Sequence, residues 1–102
     1  MIIYVDIDNT ITKTIDTDYP HAEPIPERIA RINSLYQRGY TIVYWTARGT
    51  KSNINWRELT ESQLKKWGVK YHRLEFGKPV YDLFIDDKNC HSDAFFSQQD
   101  IL

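Results

Sequence analysis

The sequence predicts an α/β domain built on a parallel sheet, and three observations predict it. Two continuous apolar, β-rich runs, Ile2 to Val5 and Thr41 to Trp45, are patterned like strands buried on both faces. A segment of helical periodicity separates them, and a second such segment leads to a third apolar run, Leu83-Phe84-Ile85. Strand, helix, strand, helix, strand is the rhythm of βαβ units with right-handed crossovers.

Each element has its own local signal. The first helix begins with Pro26 at its first position, repeats Ile29, Ile32, Leu35 and Tyr36 at helical spacing, and stops at Gly39. The second runs from Asn55, a capping residue, through Glu58 in the first turn to Trp67, with Gly68 as its stop. Trp56, Leu59, Leu64 and Trp67 fall roughly on one of its faces. Tyr71 to Leu74 is a weaker strand signal. Thr12 to Pro24, between the first strand and the first helix, is long enough for a tight turn and a short β-flap.

Bulk properties narrow the function classes. The 102 residues make a single domain, 1–102, and 41% hydrophobic and 14% aromatic content suffices for one core. Thirteen basic against 14 acidic side chains leave a net charge of −1, so no basic surplus exists to neutralise a nucleic acid backbone. The lone cysteine, Cys90, excludes an internal disulfide and a Cys-based zinc site, and a free thiol suits a reducing compartment. His21, His72 and His91 share no metal-ligand spacing. Met1 to Asp6 shows no basic leader, and its apolar run is too short for a signal peptide or a membrane span. A soluble cytoplasmic protein without membrane or nucleic-acid partners is the expectation.

In open parallel sheets ligands bind beyond the carboxyl ends of the strands. The first strand is followed by Asp6-Ile7-Asp8-Asn9-Thr10, the second by Thr46-Ala47-Arg48-Gly49, and the third by Asp86-Asp87, with Lys78 in a Gly-Lys-Pro turn before it. Taken singly, each is an ordinary turn or surface feature. Taken together they would gather four acids, a threonine and a lysine at one edge. Like charges so placed repel, and a hard divalent cation such as Mg²⁺ with oxygen ligands removes the conflict. An aspartate facing a metal-bound phosphate can attack phosphorus and form an aspartyl-phosphate. A second carboxylate two residues on can protonate the leaving oxygen and then activate water. Lys78, the Thr46 hydroxyl and backbone amides near Arg48 and Gly49 can hold phosphate oxygens.

These four pieces resemble the motifs of the haloacid dehalogenase (HAD) superfamily. Asp6-Ile7-Asp8-Asn9-Thr10 is similar to the first, Thr46 to the second, Lys78 to the third and Asp86-Asp87 to the fourth in its compact form. The resemblance implies a three-layer, Rossmann-like parallel sheet with helices on both faces. It implies Asp6 as nucleophile and metal ligand, and Asp8 as general acid and base that gives the metal its backbone carbonyl. Asp86 would complete the Mg²⁺ site, with Asp87 either binding a metal-bound water or supporting Asp86. Thr46 and Lys78 would bind phosphate, with Thr10, Arg48 and Gly49 as substrate contacts, Arg48 foremost because guanidinium suits anionic groups. An aspartate at position 8 favours a phosphatase or phosphomutase over a dehalogenase.

No cap domain fits in Thr12 to Pro24, so the chain resembles the capless subgroup, whose open sites take bulky substrates or borrow a neighbouring subunit as a lid. A homo-oligomer is therefore one arrangement in view. The chain is also similar to small capless phosphatases associated with capsule and surface-polysaccharide synthesis, which implies a phosphorylated sugar or sugar-derived metabolite as partner. Two other functions stand beside hydrolysis: phosphoryl transfer to an acceptor other than water, and a non-catalytic domain that binds a phosphorylated ligand.

Overall fold

The computed structural model describes residues 1–99 and 101–102. Its elements in chain order are β1 (Ile2–Val5), β2 (Thr12–Lys13), β3 (Glu23–Pro24), α1 (Pro26–Gln37), β4 (Thr41–Trp45), α2 (Arg57–Lys66), β5 (Arg73–Glu75) and α3 (Ser92–Ser97). The main sheet is parallel, in the order β1-β4-β5, with Ile3 opposite Ile42, Val5 opposite Tyr44 and Tyr44 opposite Leu74. The flap is present: β2 and β3 pair antiparallel, joined through a 3₁₀ turn at Tyr19–His21.

Both main helices end as their glycines dictate. At α1, Gly39 takes φ +96°, its N–H bonds to the Tyr36 carbonyl, and Tyr40 N–H reaches back to Leu35. At α2, Gly68 takes φ +71°, bonding to Lys65 while Val69 N–H bonds to Leu64. This paired pattern satisfies carbonyls that a helix end otherwise leaves open. At α2 the cap position falls on Trp56 rather than Asn55, and the helix starts at Arg57; Asn55 Oδ1, one residue before the cap, accepts the Arg57 N–H at 3.0 Å. β5 likewise starts at Arg73 rather than Tyr71.

The core lies on one face of the sheet. Ile3, Val5, Ile42, Tyr44 and Leu74 share that face by strand alternation. They cluster with Ile29, Ile32 and Leu35 of α1, Leu64 of α2, and Phe95 and Phe96 of α3. The opposite face carries Ile2, Tyr4, Val43 and Trp45; Val43 is buried there, while Ile2 and Tyr4 are more than half exposed. The helices on both faces expected from the resemblance are thus not seen among the described residues: all three helices contribute to a single cluster.

The third expected strand is also not formed. Leu83 and Ile85 are 75% and 87% exposed, and among the described residues β1 pairs on one edge only, with β4. Local bonds close this stretch on itself: Lys88 N–H bonds to Asp86 Oδ2 and Asn89 Nδ2 to the Phe84 carbonyl.

One core group stands out. Tyr44 is fully buried, and its hydroxyl has no hydrogen-bond partner among the described residues. Burial raises its pKa above the ordinary tyrosine value of 10.0. Tyr44→Phe removes an unsatisfied polar atom and is expected to raise the unfolding free energy by about 1 kcal/mol at neutral pH. The sign at high pH follows from linkage. Above the ordinary value the unfolded phenol ionises while the folded one keeps its proton, so the native protein loses stability as pH rises. The variant lacks that contribution. Urea unfolding of both proteins at pH 7 and at about pH 10.5 checks it: the gap should widen at the higher pH.

Candidate active site

The carboxyl ends of β1 and β4 lie side by side, and the residues that follow them meet. Asp6 leaves β1 with its side chain 34% exposed. Lys78 Nζ lies 3.3 Å from Asp6 Oδ1, and Thr10 Oγ1 donates to Asp6 Oδ2 at 3.0 Å. A helical turn after β1, closed by Thr10 and Ile11 N–H on the Ile7 carbonyl, folds Thr10 back over Asp6. Asn9 enters the left-handed region at φ 60° and accepts the Thr14 N–H, a conformation that Asn tolerates.

Thr46, beyond β4, is buried, and its Oγ1 accepts the Arg48 N–H at 3.1 Å. Lys78 is anchored to the same loop from both sides. Its N–H donates to the Thr46 carbonyl at 3.2 Å, and Thr50 Oγ1 donates to the Lys78 carbonyl at 2.8 Å. Asp6, Thr10, Thr46 and Lys78 therefore belong to one constellation. Beside it, Gly49, Asn53, Asn55, Trp56, Phe76 and Gly77 help line an open recess of about 410 Å³.

Asp8 has a different setting. Arg48 Nε donates to Asp8 Oδ2 at 2.8 Å and Nη2 to Oδ1 at 2.9 Å, a two-pronged pair. Thr14 Oγ1 donates to the same Oδ1 at 2.7 Å. The Arg48 side chain is 0% exposed, and its remaining prong donates to Thr60 Oγ1 at 3.0 Å and Gln63 Oε1 at 2.6 Å. Arg48 was expected at the leaving group of a substrate. The structure instead encloses it, with its donors committed to Asp8 and α2. Tyr19 of the flap lies over the guanidinium, 4.8 Å from ring centre to Cζ. Its phenol pKa is raised, first by burial and then by the Asp8 charge, against the pull of Arg48.

Asp86 and Asp87 are exposed, on the stretch that does not join the sheet. Among the described residues no group of three or more acidic, histidine or cysteine side chains is gathered as a metal site. The charge conflict foreseen among four aspartates is resolved otherwise here, since Asp6 has Lys78 and Asp8 has Arg48. The donor set for a magnesium ion is therefore partial. Asp6 offers a hard carboxylate oxygen and Asp8 a main-chain carbonyl, while the third oxygen ligand would have to come from Asp86.

Thr14, Thr60 and Gln63 are site residues that the sequence reading passed over. A signal for two of them existed. Thr60 and Gln63 are polar residues three apart that fall among the apolar positions of α2, and both are buried. A polar pair on the inner face of a helix needs a partner there.

Fold and site together define an α/β protein with paired aspartates, a lysine and a threonine at the carboxyl end of a parallel sheet. No family model matches the chain, and no curated protein matches it. Among solved structures it is similar to the crystal structure of an MCSG target from Vibrio cholerae. The TM-score is 0.86 at 28% sequence identity, over 95% of this chain and 88% of that one. The similarity carries the architecture and names no activity. Among the described residues no helix is long and apolar enough to cross a membrane.

Proposed function

We propose that the protein is a Mg²⁺-dependent phosphomonoesterase of the HAD type, capless, working through an aspartyl-phosphate on Asp6. The observation that carries this reading is the Asp6 carboxylate itself. It is partly open to solvent, flanked by Lys78 and Thr10, beside the buried Thr46 and two residues before a second aspartate. Phosphate oxygens are received by Lys78, Thr46 and the backbone at Gly49. An Asp6 oxygen bonds to phosphorus as the ester oxygen leaves with a proton from Asp8. Water then attacks the same phosphorus, Asp8 takes its proton, and phosphate and free Asp6 are released.

Magnesium, held by Asp6, the Asp8 carbonyl and Asp86, with Asp87 in support, would offset the charge of phosphate beside the carboxylates. This arrangement needs Leu83-Phe84-Ile85 as a further strand on the open edge of β1, which also brings the sheet toward the HAD layout. The substrate in this reading is a phosphorylated sugar or sugar-derived metabolite of surface-polysaccharide synthesis, taken in a cytoplasmic setting. The recess beside Thr46 and Lys78, with its amide and aromatic lining, suits a hydroxylated ring. Phosphoryl transfer to another acceptor uses the same first step. A non-catalytic phosphate-binding domain is the second reading, favoured by the exposed position of Asp86 and Asp87.

Phosphate release from 4-nitrophenyl phosphate tests it. Turnover should appear with Mg²⁺, vanish with EDTA and return with excess Mg²⁺. Asp86→Asn should raise the Mg²⁺ concentration for half-activity by at least about tenfold. Turnover indifferent to EDTA would remove the metal from the reading. No turnover under any condition, with phosphate still bound, would leave the binding domain.

A further inference from the structure

We infer that Arg48 and Gln63 are positioning residues for Asp8, and that they tie its carboxylate to the flap; the inference rests on the phosphatase reading above. A guanidinium with no exposed surface is costly to bury unless each prong is paired, and a well-packed apolar residue commonly does as well for stability. Here the guanidinium meets four acceptor atoms on three side chains, Asp8, Thr60 and Gln63. The Gln63 amide is held at both ends, since Oε1 accepts from Arg48 and Nε2 donates to the Tyr19 carbonyl at 2.6 Å. The flap also reaches Asp8 directly through Thr14.

The consequence concerns the proton. Three donors take three of the four lone-pair sites on the Asp8 oxygens, two on Oδ1 and one on Oδ2, which fixes the plane of the group and leaves one site on Oδ2 to carry the proton it hands on. Delivering a proton to a leaving oxygen requires that carboxylate to be aimed, and the fork of Arg48 is what aims it. Gln63 links the fork to Tyr19, so flap position and Asp8 orientation change together. Leaving groups that need a proton therefore depend on this network more than those that depart as stable anions.

The experiment measures kcat/KM for a series of para-substituted phenyl phosphates carrying 4-nitro, 4-chloro, hydrogen or 4-methoxy. It compares wild type, Arg48→Lys and Gln63→Leu, each checked for folding by circular dichroism. Arg48→Lys should lose at least about tenfold more on the 4-methoxy than on the 4-nitro ester, within the range that general acid catalysis contributes. Gln63→Leu should change the series in the same direction by a smaller factor. Equal losses across the series in both folded variants would overturn the inference and leave the phosphatase reading intact. If Arg48→Lys does not fold, Gln63→Leu decides alone. A wild type inactive on every ester would overturn both.

Discussion

Asp6→Asn is expected to lower the turnover of 4-nitrophenyl phosphate by at least about 10⁴-fold, the scale on which losing a covalent nucleophile acts. The replacement keeps the side-chain shape, and its amide oxygen still accepts from Thr10. What disappears is the counter-charge 3.3 Å from Lys78 and, in the proposed reaction, the anionic oxygen that bonds to phosphorus. Because Asp6 is partly exposed and Lys78 can find water, the fold should be little affected, within about 1 kcal/mol. Steady-state kinetics and a thermal melt separate the two effects. Residual turnover above one part in a hundred, in a well-folded variant, would move the nucleophile elsewhere.

Gly49→Ala carries the largest expected effect on stability among the site substitutions. Gly49 sits at φ +83°, and a Cβ there would run into the carbonyl oxygen of Ile54. The left-handed conformation alone costs a residue with a side chain about 1–2 kcal/mol, and the collision is with backbone, which cannot turn aside. A total of at least about 2 kcal/mol is expected, seen as a melting point lower by about 10 °C. The loop involved also holds the site together. Asn53 N–H bonds to the Gly49 carbonyl, and Thr50 holds the Lys78 carbonyl. Shifting it should loosen Lys78, so KM for the phosphate ester should rise together with the loss of stability. A variant that melts like the wild type would show that the loop relaxes freely.

The legible part of this molecule is the part ruled by neighbours along the chain. Gly39 and Gly68 stop their helices because a residue without a Cβ enters the left-handed region at little cost, and the paired backbone bonds at both ends follow from that. Ile29, Ile32 and Leu35 lie inward because helical spacing puts them on one stripe. Asp6 and Thr10 meet across a single turn, four residues apart. Chain order and strand pattern also suffice to bring Thr46 to the same sheet edge as Asp6.

The rest depended on contacts between distant segments. Leu83-Phe84-Ile85 has the composition of a buried strand, yet a strand needs a partner edge as well as a pattern, and here the stretch stays exposed while β1 keeps an open edge. Arg48 has the look of a substrate contact, since a cation after a strand end suits an anionic ligand. Its burial against Asp8, Thr60 and Gln63 joins residues 8, 48, 60 and 63, and such a match is decided only when α2 closes over the sheet. By itself, then, the sequence determined the parallel α/β scaffold and the sheet end that carries Asp6, because hydrophobic period and turn chemistry act over a few residues. Only the tertiary structure decided which cation serves which aspartate and which face of the sheet is covered, because desolvation and charge pairing are settled by whatever else is packed nearby.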